Sequence, residues 1–257
     1  MVYSRWVCDC VRNREREHRG VSAGVIPNGY SFFTATFENI DATDFNLSEI
    51  ACKQYNGAEW LTSGSGKTKC AGAVTMRKIS TTGAYGTKYE YYSTKATIGW
   101  YDGDTLVTGN AVKFEPGEGV IVYCGNANGA VLQVSGSVRL EPAGKFVPNG
   151  YSFSGNASPV AIKLSGVACK QYNGTDWLTS GSGKTKCAGA VTVRKIETNG
   201  AYGTKYEYYS TKTTIGWYDG DTLIAGDNDV SFDPGEGFIV YCGNANGAQL
   251  ILPAPEL

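Results

Sequence analysis

Residues 51–109 read ACKQYNGAEWLTSGSGKTKCAGAVTMRKISTTGAYGTKYEYYSTKATIGWYDGDTLVTG, and residues 168–226 repeat them without a gap. Of the 59 aligned positions, 51 are identical. The differences are mild: Ala58 against Thr175, Glu59 against Asp176, Met76 against Val193, Ser80 against Glu197, Thr82 against Asn199, Ala96 against Thr213, Val107 against Ile224 and Thr108 against Ala225. Self-similarity at a fixed spacing makes the chain a tandem of two modules. Inside the repeat, Thr, Val, Ile and Tyr recur in short alternating runs broken by Asn-Gly, Thr-Gly and Asp-Gly. That pattern belongs to β-strands joined by tight turns. Lys53–Tyr55 and Glu59–Thr62 flank Asn56-Gly57, a two-residue hairpin signal because both turn positions favour positive φ. Ala73–Ile79 and Thr87–Ser93 flank a second turn, and Ile98–Tyr101 runs into Asp102-Gly103. Lys88–Tyr92 alternates imperfectly and would show at least one Tyr to solvent. No long run carries helical periodicity with a plausible cap; Arg14-Glu15-Arg16-Glu17 offers a single helical turn at most.

The match extends outward. Pro27-Asn28-Gly29-Tyr30-Ser31-Phe32 pairs with Pro148-Asn149-Gly150-Tyr151-Ser152-Phe153, and Pro116-Gly117-Glu118-Gly119 with Pro234-Gly235-Glu236-Gly237. The strands Gly119–Tyr123 and Ala130–Val134 flank the Gly125–Gly129 loop. With roughly eight strands per module, the expected fold is all-β: two tandem, nearly identical β-sandwich (or small barrel) modules behind an extended N-terminal arm. The boundaries expected are an arm over 1–24, module one over 25–137, a linker over 138–147 and module two over 148–257. The arm has no counterpart before module two beyond Ala23-Gly24, which resembles Ala143-Gly144. It is charged from Arg12 to Arg19 and has no apolar core, so it does not read as a secretory signal peptide.

Composition excludes several function classes. The 257 residues are 42% hydrophobic and 18% charged, too apolar for a disordered chain. A net charge of −1 argues against nucleic acid or an anionic membrane as partner. No apolar stretch approaches the ~20 residues of a membrane-spanning helix, so no membrane insertion is expected. His18 is the only histidine, which removes a multi-His metal site and a His dyad within one chain.

Eight cysteines distribute as Cys8 and Cys10 in the arm, Cys52, Cys70 and Cys124 in module one, and Cys169, Cys187 and Cys242 in module two. No Cys-x₂-Cys spacing occurs, so zinc is a poor reading. An even count in a turn-rich β chain reads as disulfides in an oxidising location, with buried free thiols as the alternative. Eight cysteines allow 105 connectivities. The simplest pairs Cys52 with Cys70 and Cys169 with Cys187, leaving Cys124 and Cys242 for Cys8 and Cys10. Those two stand two residues apart, on one face of a strand, and could bridge one surface or two stacked subunits.

Apparent chemical motifs are weak. Ser65-Gly66-Lys67-Thr68 and Ser182-Gly183-Lys184-Thr185 resemble the tail of a phosphate-binding loop, but Leu61 and Leu178 stand where that loop needs Gly. Asp102-Gly103-Asp104 and Asp219-Gly220-Asp221 read as hairpin turns rather than Ca²⁺ loops. Nothing selects an acid partner for Glu118 or Glu236. No catalytic residue, cofactor or metal site is expected, and the chain does not read as an enzyme. The best ligand candidates are aromatic: Trp60, Trp100 and Tyr101, with Trp177, Trp217 and Tyr218, whose rings would stack on sugars if exposed or fill the sandwich cores if not.

The opening Pro-x-Gly-Tyr-Ser-Phe strand, the Tyr-Asn-Gly-x-x-Trp hairpin, the Gly-Trp-Tyr-Asp turn and the closing strand Pro234 to Tyr241 together resemble tandem β-modules of secreted and cell-surface bacterial proteins. The resemblance covers both modules but not the arm. It implies export and a β fold, and no activity. A cysteine-bearing arm ahead of a β-domain is also similar in organisation to disulfide-cross-linked, pilus-like appendage subunits such as those of endospores, whose arm reaches into neighbouring subunits. The leading expectation is therefore a self-assembling structural subunit of an extracellular filament or surface layer, with copies of itself as partner. The alternative is a carbohydrate-binding or adhesin protein with two equivalent aromatic sites for glycans.

Overall fold

A computed structural model describes residues 7–12, 18–36, 45–55, 60–61, 71–115, 117–139, 141–172, 177–178 and 188–255. Nearly all of its regular structure is antiparallel β-sheet. Module one contains β1 (Val7–Arg12), β2 (His18–Ile26), β3 (Gly29–Thr34), β4 (Phe45–Asn46), β5 (Ala51–Tyr55), β6 (Trp60–Leu61), β7 (Ala71–Arg77), β8 (Tyr89–Tyr92), β9 (Gly99–Asp102), β10 (Thr105–Leu106), β11 (Lys113–Phe114), β12 (Gly119–Cys124) and β13 (Ala130–Ser137). Module two contains β14 (Ala143–Val147), β15 (Gly150–Gly155), β16 (Ile162–Lys163), β17 (Ala168–Tyr172), β18 (Trp177–Leu178), β19 (Ala188–Arg194), β20 (Tyr206–Tyr209), β21 (Gly216–Asp219), β22 (Thr222–Leu223), β23 (Ser231–Phe232), β24 (Gly237–Cys242) and β25 (Ala248–Leu252).

In module one the sheet β1-β2-β13-β5-β6 lies against the sheet β10-β9-β8-β7-β12-β3, and module two repeats this with β14-β25-β17-β18 against β15-β24-β19-β20-β21-β22. Each core takes alternate residues from both sheets, as in a sandwich. Leu132, Val134 and Cys52 come from one sheet of module one; Phe33, Val74, Met76, Trp100, Val120 and Val122 come from the other. The core of module two is built from the matching residues. Its cross-strand pair Ser154 and Phe238 replaces Phe33 and Val120, so the large side chain has moved to the other strand of the same rung. Exchanging large for small across one rung conserves core volume.

The turns follow the sequence signals in part. Gly103 and Gly220 take positive φ (58° each) in the Asp-Gly turns. At Asn56-Gly57 the flanking strands pair Gln54 with Leu61 and Tyr55 with Trp60. The turn residues themselves lie outside the described residues.

The described parts of the N-terminal arm, 7–12 and 18–24, are extended chain and belong to module one's own sheet. β1 pairs with β2 from Val7↔Ala23 to Arg12↔His18, and β2 pairs with β13 along eight residues. Cys8 stands opposite Ser22 and Cys10 opposite Gly20. The end of the expected linker is also a strand: β14 pairs with β25 from Ala143↔Leu252 to Val147↔Ala248.

The modules meet through the outer faces of their six-stranded sheets. On β3 and β12, Phe33, Val120 and Val122 point into the module's core, so Phe32 and Ile121 point out. They form a third buried cluster with Phe153 and Ile239 of module two, and the Phe32 and Phe153 rings lie 4.6 Å apart. Fully burying four such side chains contributes about 1.5–3 kcal/mol each. The flanking hydrogen bonds come in reciprocal pairs. The Tyr30 amide donates to the Thr198 carbonyl and the Tyr151 amide to the Thr81 carbonyl, both at 2.8 Å; the bridges Phe33↔Glu236 and Ser154↔Glu118 match likewise. Contacts of this reciprocal form define a twofold, isologous interface, here within one chain. The Pro-Asn-Gly-Tyr opening explains itself in this geometry. Asn28 donates to the carbonyls of Cys124 and Asn126, and Asn149 to those of Cys242 and Asn244. Gly29 and Gly150, at φ 101°, bring the chain so close to the opposite module that a Cβ would overlap the Thr198 or Thr81 carbonyl oxygen.

Two substitutions probe the module contact. Phe153→Ala is expected to lower unfolding free energy by about 3–5 kcal/mol in urea titrations, the usual cost of a large-to-small change in a packed cluster. Gly150→Ala is expected to destabilise far more than Gly103→Ala, since a Cβ at Gly103 meets no atom within 4 Å and costs only the ~1–2 kcal/mol of left-handed backbone. Equal effects from the two glycines would contradict this interface.

Candidate functional site

The outer face of each six-stranded sheet is divided by its cross-strand rows. One row, Phe32–Ile121–Arg77, begins under the opposite module. The next, Tyr30–Tyr123–Thr75–Glu90, lies outside it. Module two repeats both, as Phe153–Ile239–Arg194 and Tyr151–Tyr241–Thr192–Glu207. The outer rows floor a pair of matching clefts. In module one the cleft is about 450 Å³ and is lined by Tyr30, Tyr85, Tyr123, Arg77, Lys88 and Glu90. In module two it is about 380 Å³, with Tyr151, Tyr202, Tyr241, Arg194, Lys205 and Glu207.

The tyrosines are fixed and yet open to solvent. The rings of Tyr30 and Tyr123 lie 5.0 Å apart at 53°, and those of Tyr151 and Tyr241 lie 5.0 Å apart at 54°. Tyr85, Tyr123, Tyr202 and Tyr241 are between 41% and 48% exposed. Tyr30 rests on Gly200 of the opposite module, and Tyr151 rests on Gly83. Tyr85 and Tyr202 project from the turns that carry those glycines, each turn closed by a bridge, Ile79↔Tyr85 and Ile196↔Tyr202. The Tyr202 phenol is pushed up from its ordinary value by burial first, then by the charge and hydrogen bonding of the neighbouring Tyr85 phenol, and by Tyr151. The two tyrosine sets therefore meet across the twofold at Tyr85 and Tyr202. The charged rim is paired: Lys88 lies 2.9 Å from Glu90, and Lys205 lies 2.8 Å from Glu207.

The residues singled out from sequence lie elsewhere. Trp100 and Trp217, each 1% exposed, are core residues whose indole N–H donates to the carbonyls of Ile50 and Val167. Tyr101 and Tyr218 are buried beside them. Their hydroxyls donate to Thr97 and Thr214, and the ammonium groups of Lys95 and Lys212 sit over their rings. None of these four can stack on a ligand in this structure. Trp60 and Trp177 lie in β6 and β18, and their side chains are outside the described residues. Cys52, Cys124, Cys169 and Cys242 are buried in the two cores. Cys70 and Cys187 lie outside the described residues, as do the Ser-Gly-Lys-Thr segments. Glu118 and Glu236 are turn residues, ion-paired with Lys78 at 2.9 Å and Lys195 at 2.7 Å. Asp104 and Asp221 pair with Lys95 and Lys212. Among the described residues no group of three or more His, Cys, Asp or Glu converges on a metal position, and no helix is long and apolar enough to cross a membrane.

Comparison with known proteins finds no matching family model, no matching curated protein and no matching solved structure. The reading of the site rests on its geometry.

That geometry has a titration signature. Tyr202 is expected to ionise above the ordinary tyrosine range in an ultraviolet alkaline titration, and Tyr85→Phe, which removes the neighbouring phenol oxygen, is expected to lower it. Because the folded-state value is raised, the stability Tyr202 contributes is present below the ordinary tyrosine range and is lost as pH climbs through the folded value. An unchanged titration in Tyr85→Phe would show that the two turns do not meet.

Proposed function

We propose that this chain is a non-catalytic binding protein of the cell surface that holds glycans in two equivalent tyrosine-lined clefts. The observation that carries the reading is the repetition, on the exposed side of both modules, of one constellation: three solvent-facing tyrosines, an arginine, a lysine–glutamate pair and a threonine. A sugar ring offers an apolar C–H face to aromatic rings and hydroxyls to planar charged groups at its edge. Tyrosine suits such a surface because it supplies rigid contact area with a polar tip. Binding sites of this kind are concave, largely preformed and bordered by a few convergent polar groups. The twofold relation gives the two clefts opposite polarity, so a directional glycan strand fits one cleft at a time. Two clefts then hold two strands, and the gain over one cleft is avidity on a multivalent surface.

A second reading, a structural subunit of an extracellular filament or surface layer, is favoured by one observation. β1, with Cys8 and Cys10, is the outer strand of its sheet, where strand addition or a disulfide to another copy has access. The burial of Cys124 and Cys242 inside their own modules counts against those two as its cross-link partners.

Two measurements test these readings. On a glycan array, Tyr123→Ala and Tyr241→Ala are each expected to weaken binding about tenfold at their own cleft, and the double variant is expected to abolish it while melting as the parent does. An array silent toward the parent chain would end the glycan reading. In non-reducing electrophoresis, the assembly reading expects a covalent ladder that collapses with reductant and disappears in the Cys8→Ser, Cys10→Ser variant; a single monomer band under oxidising conditions would end it.

A further inference from the structure

The twofold relation between the modules is broken at Lys145. Where module two's first strand meets module one's Pro-Gly turn, Lys145 reaches across the boundary and places its ammonium 2.8 Å from Glu115. Lys145 is buried, and its stem lies against Gly117 of that turn. The carboxyl of Glu115 is held below its ordinary range by the hydrogen bond and charge of Lys145. On the other side of the axis the same elements meet with different residues. The rung Lys145↔Leu250 corresponds to Gly24↔Leu132, which shifts by one residue the resemblance of Ala23-Gly24 to Ala143-Gly144, so the lysine is replaced by glycine. Glu115 corresponds to Asp233, which occupies the same position in its turn: the amide of each donates a hydrogen bond to the side-chain carboxylate of the glutamate three residues on, Glu118 or Glu236.

Asp233 thus lacks the lysine partner that its sister Glu115 has in Lys145. A cleft of about 410 Å³ lies beside Asp233, walled by Val25, Tyr30 and Phe32 of module one and by Lys195, Thr198 and Glu236 of module two. Glu236 is already paired with Lys195 at 2.7 Å. Asp233 makes no ion pair among the described residues.

We propose that this cleft takes a primary alkylammonium group, an ammonium on a short methylene stem, with Asp233 as its counter-charge. The sister site states the chemistry: a four-methylene stem along the strand edge and an ammonium on the turn carboxylate. Val25 and Phe32 supply apolar contact for the stem, and Asp233 supplies the charge-assisted hydrogen bond. The site is independent of the glycan reading, although Tyr30 stands in the wall of both clefts. Two sources share this chemistry, a free amine and a lysine side chain displayed by another polypeptide.

The test is an amide-resolved NMR titration of the full chain with n-butylammonium and, separately, with Nα-acetyl-lysine amide; n-butanol is the uncharged control. The amides of Val25, Thr198 and Gly237 are expected to shift with the two amines and not with the alcohol. Stronger binding of the lysine derivative assigns a polypeptide source, and stronger binding of butylammonium assigns a free amine. Asp233→Asn is expected to weaken binding on the order of tenfold. Gly24→Lys is expected to abolish it by restoring the internal ammonium, and to raise the melting temperature, since the same rung already carries Lys145 in module two. The proposal is overturned if neither amine shifts those amides, if the alcohol shifts them equally, or if Asp233→Asn binds as the parent does. That last variant keeps the test open should Gly24→Lys fail to fold.

Discussion

The rest of the structure depends on the burial of Phe32, Ile121, Phe153 and Ile239 between the two sheets. A sheet that is apolar on both faces cannot leave its second face in water, because an exposed apolar patch of that size drives association. Each module therefore needs a cover for its outer row, and the cover is its own copy. The reciprocal amides of Tyr30 and Tyr151 fix the angle of approach, and the positive-φ glycines beside them make that approach close enough to exclude water. The tyrosine clefts are what remains of the outer faces once the centre has been covered.

This constraint explains which parts of the sequence reported on structure. The all-β class, the repeat and most strand positions were legible because period-2 alternation and Gly-containing turns are local signals. The outward row was not. Ile121 and Phe32 look like core positions in a linear reading, since alternation identifies two faces without saying what each one meets. The same limit misdirected the choice of aromatic residues. Trp100 and Trp217 drew attention by size, yet a Trp with a carbonyl partner is a good core residue. The tyrosines of the clefts were present as Tyr30, Tyr85 and Tyr123, each followed or preceded by small or turn-forming residues, and the available signal was their phase: Tyr123 shares its face with Ile121, and Tyr30 with Phe32. The strand character of β2 and β14 was also hidden, because their pairing partners, β13 and β25, lie about a hundred residues further along the chain.

Fusing two like modules has a consequence that a homodimer of one module would not share. In a homodimer every substitution appears twice, so the two halves of the interface stay equal. In a tandem chain each half can change alone. The exchange of Phe33 and Val120 for Ser154 and Phe238 keeps one core's volume while placing the Ser154 hydroxyl on the Gly117 carbonyl at 2.8 Å. Ser80 and Thr82 against Glu197 and Asn199 give different internal hydrogen bonds to the two turns that carry Tyr85 and Tyr202. Among the described residues β1 has no equivalent in module two.

Several of these differences lie at the module boundary, whereas the Asp-Gly turns and the Trp-containing strands are identical. Contact between the halves is intramolecular, so its strength does not depend on protein concentration. One side of the boundary can therefore give up a stabilising pair, as at Gly24 and Asp233, while Lys145 and Glu115 hold the other side closed. A symmetric pair of lysines would close both clefts and leave only the tyrosine surface. A single lysine closes one and keeps a shaped, charged recess open in a molecule whose remaining architecture is duplicated.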